Sequence, residues 1–322
     1  MDIYVKKAII HQFSPDDTDL YLADKFLNIT PKIEEYLRKK IERVYSDEAR
    51  TGIFEEDNPF LEMISDDLLE TSVAVANRWK EEFVVSENQK TNDLVFIQFS
   101  KEGVDHFAFL RIALRETLTH LGGEVDNPIK LTQNNLPGFG TGADEALVIN
   151  LQSRKYHLIE KRIKYNGTFL NYFSENLLQA QPKISPKKSI KALEKTAQKI
   201  AESFNTDDFQ FQSKVKSAIF NHIEEENKLS PEKLADDLFD DNLTARLSFI
   251  DQVKEAVPEP VTFEEIDASR QLKKFENQKL SLSNGIELIV PNNVYEDAES
   301  VEFILNENGT YSILIKNIED IQ

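Results

Sequence analysis

Lysines recur from residue 187 to residue 199 at the spacing of a helix ridge. Ser185-Pro186 reads as the helix start, with Ser185 as N-cap and proline at the first helical position. At 100° per residue from Lys187, Ile190, Leu193, Ala197, Ile200 and Phe204 project between about 220° and 300°. Lys187, Lys188, Lys191, Lys195 and Lys199 project between 0° and about 120°, with Glu202 among them. A row of ammonium groups attracts phosphate oxygens, so the chemistry on offer is sequence-independent contact with a nucleic-acid backbone. Upstream, Arg154, Lys155, Lys161, Arg162 and Lys164 extend the positive charge, and Tyr156 and Tyr165 are expected to stack on bases. On sequence alone a solvated helix face, paired with the acidic segment that follows, accounts for the lysines slightly better, since lysine ridges are common.

Other chemistries are less well supported. Pro137-Gly138-Phe139-Gly140-Thr141-Gly142-Ala143 looks like a phosphate loop, but Asp144-Glu145 stands where Gly-Lys-Ser/Thr is required, and a flexible loop is expected. Asp236, Asp237, Asp240 and Asp241 form like-charged i,i+4 pairs that destabilise a helix unless cations offset them. Neither they nor Glu224-Glu225-Glu226 has EF-hand spacing, so an acidic solvated face is expected there and no metal. His11, His106, His120, His157 and His222 fall in no ligand or catalytic spacing, and no serine sits in a nucleophile elbow. No catalytic residue and no cofactor is therefore assigned.

The charge is unevenly distributed. The 322 residues hold 38 Lys+Arg and 57 Asp+Glu, a net charge of −19. Residues 150–203 nevertheless carry 11 basic and 4 acidic groups, net +7, and residues 204–268 carry 6 and 16, net −10. Such a chain repels a polyanion at long range, while a local basic block can still hold one at contact range. With 40% hydrophobic residues a real core is expected, and the absence of cysteine excludes disulfides and thiolate metal sites. No secretory pattern opens the chain and no apolar run approaches the ~20 residues of a membrane span. The expectation is a cytoplasmic protein with no membrane partner.

The elements that must position these residues are strands, then helices, then strands, which defines an α+β fold. Ile3–Phe13 reads as a strand. Thr30-Pro31 and Asn58-Pro59 start two helices, the second expected to run unbroken to Phe83. Leu94–Phe99 and Val104–Leu114 form a hairpin, followed by a long Gly- and Pro-rich loop over 122–144 and a strand at Ala146–Leu151. From Ile159 to about Lys254 the pattern is helical, and four short antiparallel strands follow from Lys279 to Lys316. The expected organisation is an N-terminal α+β domain (1–151), a helical region (152–260, basic over 152–203 and acidic over 204–260), and a C-terminal antiparallel β region (261–322).

The order of segments also resembles a known family. Ala8-Ile9-Ile10-His11-Gln12-Phe13, Arg43-Val44-Tyr45-Ser46, Gly52-Ile53-Phe54, the Leu94–Leu114 hairpin and Phe169-Leu170-Asn171-Tyr172-Phe173 occur in the order seen in the bacterial 37-kDa nucleoid-associated proteins. Arg270-Gln271-Leu272-Lys273-Lys274-Phe275 and Gly285-Ile286-Glu287-Leu288 continue it, and the 37.0 kDa mass agrees. The resemblance spans the whole chain and implies association with the nucleoid, hence with DNA, directly or indirectly. It carries over no catalytic residue, and it does not mark the lysine helix, which is read from the projection alone. The alternatives are an acidic module binding a basic protein partner or mimicking DNA charge, and, third, a metal-dependent nuclease. Oligomeric state stays open, although the apolar C-terminal strands present an edge for pairing into a homodimer.

Overall fold

The computed structural model describes residues 2–16, 18–83, 90–120, 129–165, 167–204, 209–263, 265–297 and 299–320. The chain divides into two compact units, 1–185 and 186–322.

The first unit contains β1 (Ile3–Ser14), β2 (Asp19–Tyr21), α1 (Pro31–Glu42), β3 (Arg50–Ile53), α2 (Pro59–Glu62) and α3 (Leu68–Phe83). It continues through β4 (Asn92–Lys101), β5 (Val104–Ala113), β6 (Arg115–His120), β7 (Ile129–Asn135), β8 (Glu145–Asn150), β9 (Lys155–Ile159), β10 (Ile163–Tyr165) and β11 (Thr168–Leu170). Its main sheet has the order β2-β1-β4-β5-β8-β9-β3 and every pair is antiparallel. Alternation along β4 explains its continuous apolar run: Leu94 and Phe96 join a core with Trp79 and Phe83 of α3, while Val95, Ile97 and Phe99 join a core with Leu37 and Ile41 of α1. Both faces of the strand are thus covered by helix, which removes the need for a polar side.

Four expectations change. The second helix is two, because Asp67 accepts the Leu69 N–H at 2.8 Å and caps α3 instead of lying in a helix interior. The 122–144 loop contains β7, bracketed by Pro128 and Pro137; residues 121–128 lie outside the described ones. The segment after Ile159 begins with a hairpin, β10–β11, in which Gly167, just before β11, has a φ of +81°. Finally, the expected boundary at 151/152 falls in the turn joining β8 to β9, neighbours in one sheet.

A buried polar network spans this unit. Arg111 on β5 donates to Glu145 on β8 at 2.6 Å and to Asn92 on β4 at 2.9 Å. Tyr172 also donates to Glu145 and accepts from Trp79 Nε1 at 3.2 Å. Burial raises the Glu145 carboxyl above its usual range against the pull of Arg111. Glu145, of the acidic pair that follows the glycine-rich loop, is fully buried.

The second unit holds α4 (Pro186–Ser203), α5 (Phe209–Glu226), β12 (Lys228–Leu229), α6 (Pro231–Leu238), α7 (Leu243–Ala256), β13 (Val261–Thr262) and α8 (Ser269–Phe275). Then follow β14 (Asn277–Ser281), β15 (Glu287–Pro291), α9 (Asn292–Tyr295), β16 (Val301–Leu305) and β17 (Tyr311–Ile315). Its core gathers Leu193 and Ile200 of α4, Ile219 and Ile223 of α5, Leu234 of α6 and Phe249 and Val253 of α7. The C-terminal strands form two separate hairpins, β14–β15 and β16–β17. A buried cluster ties the first to α5: Gln278 donates to Asn292 Oδ1 at 2.7 Å and to the Ser213 carbonyl at 3.2 Å.

Candidate nucleic-acid interface

Helix α4 buries the stripe its spacing implies. Ile190, Leu193, Ala197, Ile200 and Ala201 are all buried in the core of the second unit. Lys187, Lys188, Lys191, Lys195 and Lys199 are all exposed. The row Lys187–Lys191–Lys195–Lys199 rises about 18 Å along the axis, comparable to about five phosphates of one strand at 3.4 Å each. Lys199 donates to Gln252 on α7 at 3.0 Å, a neutral partner that holds the side chain without cancelling its charge. On the flank, Glu194 is taken by Lys274 of α8 at 3.3 Å, which removes an acid from competition with the ridge. Among the described residues, Lys188, Lys191 and Lys195 form no ion pair.

The upstream cations belong to the other unit and are differently placed. Arg154 sits in a left-handed turn with a φ of +60° and pairs with Glu56 at 3.0 Å. Lys161 pairs with Asp144 at 2.6 Å. Burial alone would raise the Asp144 carboxyl, but hydrogen bonds from Lys161 and the Ala113 N–H hold it below its usual range. Arg162 lies over the Phe169 ring at 5.7 Å, and Lys155 and Lys164 are exposed on β9 and β10. The ten cations are therefore two sets on two units, and in the upstream set Arg154 and Lys161 are already ion-paired. Tyr156 corrects the stacking expectation: it is buried against Phe54, ring centroids 4.4 Å apart, and faces no solvent. The Tyr165 side chain lies outside the described residues.

The glycine-rich loop is pinned by a residue the sequence reading passed over. Lys40 of α1, 0% exposed, donates to the backbone carbonyls of Pro137, Gly138 and Thr141. Tyr36 adds a hydrogen bond to Pro137 O at 3.0 Å, and its ring meets Phe139 edge-on. Burial, with Arg43 and Arg115 nearby, brings the Lys40 pKa down to about 8. The signal was present, since Lys40 follows Ile33, Tyr36 and Leu37 on the apolar stripe of its helix.

Glu225, Glu226, Asp236 and Asp237, with Lys214, His222 and Lys233, line an open cleft of about 550 Å³ between α5 and α6. Asp236 pairs with Arg246 at 3.0 Å, Asp240 with Lys214 at 3.0 Å, and Asp237 with His222 at 2.7 Å. Arg246 and Lys214 offset the i,i+4 repulsion between Asp236 and Asp240 that the spacing predicts. Among the described residues no three His, Asp or Glu side chains converge as a metal site. No described helix is long and apolar enough to cross a membrane.

Fold and surface together define an acidic α+β protein of two units whose second unit presents a lysine-faced helix. The family described as nucleoid-associated protein YejK matches residues 9–321, and the chain belongs to that family. No curated protein matches the chain.

Proposed function

We propose that this nucleoid-associated protein contacts DNA directly, by its phosphates, through the exposed face of α4. Lys187, Lys188, Lys191, Lys195 and Lys199 carry the contact, and Arg154, Lys155, Lys161, Arg162 and Lys164 add a weaker, separate one. The role is non-enzymatic, in the cytoplasm, and largely indifferent to sequence, because ammonium groups on a convex helix face reach phosphates and not base edges. One observation carries this reading: all five lysines are exposed on a helix whose opposite face is core, in a chain of net charge −19. An acidic chain that places five lysines on one ridge overcomes its own long-range repulsion at contact range. The alternative, an acidic module for a basic partner, draws on acids that already have internal partners: cations at Asp236 and Asp240, and the His222 ring at Asp237.

Fluorescence anisotropy with a DNA duplex at low salt tests the assignment. Changing the five α4 lysines to glutamate is expected to weaken binding at least ~100-fold, while changing the five upstream cations to glutamine costs less than ~10-fold. Equal binding by wild type and the α4 variant would remove the helix from the interface.

A further inference from the structure

The glycine-rich loop over 137–143 is held from one side and open on the other. Lys40 Nζ donates to Gly138 O at 2.9 Å and also to the carbonyls of Pro137 and Thr141. In a trans peptide the C=O and the following N–H point in opposite directions, and the described residues include no cis peptide. The N–H groups of Gly138, Phe139 and Gly142 are therefore turned away from the ammonium. Among the described residues none of the three donates to another protein group. A Cβ added at Gly138 would meet nothing within 4 Å, so the space beside its N–H is open.

Two arginines meet this loop. Arg43, at the C-terminal end of α1, runs along it: a Cβ at Gly142 would lie 3.8 Å from Arg43 Cδ, and one at Gly140 4.0 Å from Arg43 Nη2. Arg115 opens β6. After burial, these two guanidiniums are what bring the Lys40 pKa down, which places both close to the ammonium that holds the loop. Both arginines are exposed, and among the described residues neither forms an ion pair. The nearby acids are engaged elsewhere: Asp144 accepts from Lys161 at 2.6 Å and from the Ala113 N–H at 2.9 Å, and Glu42 pairs with Lys39 at 3.2 Å. Guanidiniums without a carboxylate, beside N–H groups without an acceptor, are a donor set for an oxyanion.

Charge selects the oxyanion. Two guanidiniums match the charge of about −2 on a terminal phosphate at pH 7, whereas a backbone phosphodiester brings a single negative charge. A chain of net charge −19 also repels a polyanion more strongly than a small dianion. We propose that the 138–142 loop, with Arg43 and Arg115, binds the terminal phosphate of a small phosphate monoester. Lys40 fixes the loop from behind and Tyr36 donates to Pro137 O at 3.0 Å, so the donors are in place before the ligand arrives. The site lies wholly in the first unit, and α4 belongs to the second.

Isothermal titration calorimetry of the full chain tests this with inorganic phosphate, AMP and the dinucleotide ApA, whose only phosphate is a diester. Inorganic phosphate and AMP are expected to bind with Kd below ~1 mM, and ApA at least ~10-fold more weakly. Arg43→Gln combined with Arg115→Gln is expected to weaken AMP binding at least ~10-fold, with far-ultraviolet circular dichroism unchanged. The variant with all five α4 lysines changed to glutamate is expected to bind AMP as wild type does. No heat from either monoester at ~10 mM, equal binding of AMP and ApA, or AMP binding indifferent to both arginine changes would each overturn the proposal. Loss of AMP binding in the α4 variant would assign the phosphate to the lysines and overturn it as well. Duplex binding that falls with the arginines while no monoester binds would make the loop a backbone contact, again against the proposal. Duplex binding and monoester binding are read separately, so this reading and the α4 reading fail separately.

Discussion

Lys40 is a cation taken out of water, and its three carbonyl partners use the three N–H groups of an ammonium. Lys40→Met leaves the carbonyls of Pro137, Gly138 and Thr141 without that donor, so a loss of about 2–4 kcal/mol is expected from urea unfolding. His11 shows the opposite logic. It is buried, its Nε2 lies 2.9 Å from Ser72 Oγ, and its Nδ1 accepts the Ala23 N–H at 3.0 Å, so the folded state holds the neutral ring. Burial lowers its pKa from 6.5, which makes its stability contribution full above 6.5 and lost as pH falls through the folded value. Urea midpoints on either side of 6.5 are expected to fall more steeply for wild type than for His11→Gln; parallel profiles would contradict this. Residue identity alone gives little of this. The stripe of α1 marks Lys40 as inward-facing, but its acceptors lie about 100 positions away in sequence. Gly52 is similar: a Cβ there would meet Tyr156 Oη at 2.3 Å, a crowding that only the β3–β9 pairing creates.

Elements were legible where periodicity and caps agreed. α1 and α4 start where Thr30-Pro31 and Ser185-Pro186 place them, and the 92–113 hairpin follows its apolar runs. Long-range geometry defeated the rest. Asp67 looks like one more polar residue on an exposed helix face until its side chain is seen accepting from Leu69 N–H. Asp67→Ala removes that cap and is expected to cost about 1 kcal/mol in thermal or urea unfolding, while Asp66→Ala, next to it, costs little. β10 and β11 were signalled by Asn166-Gly167, but the surrounding lysines read as helix. The lysine face of α4 was fully legible, because a charged ridge opposite an apolar stripe is a property of one element. The upstream set was not: its internal partners, Glu56 and Asp144, come from segments remote in sequence.

At the scale of the whole molecule, two features pull in opposite directions. A net charge of −19 opposes encounter with a polyanion, while the +7 block over 150–203 is what the proposed role relies on at contact range. Division of that block between two units leaves α4 as its compact part. Counterion release gives the account its quantitative form. Five lysines engaging five phosphates imply that log K falls against log salt with a slope of about −4 to −5. Lys→Glu exchange of all five should remove most of the slope together with most of the binding, leaving the weaker upstream contact. The decisive measurement is therefore duplex affinity from low to physiological salt, wild type beside that variant. A slope near −4 that flattens sharply when the lysines are exchanged is the predicted result. Affinity that is flat across the series, or a slope unchanged in the variant, would contradict direct phosphate contact through α4.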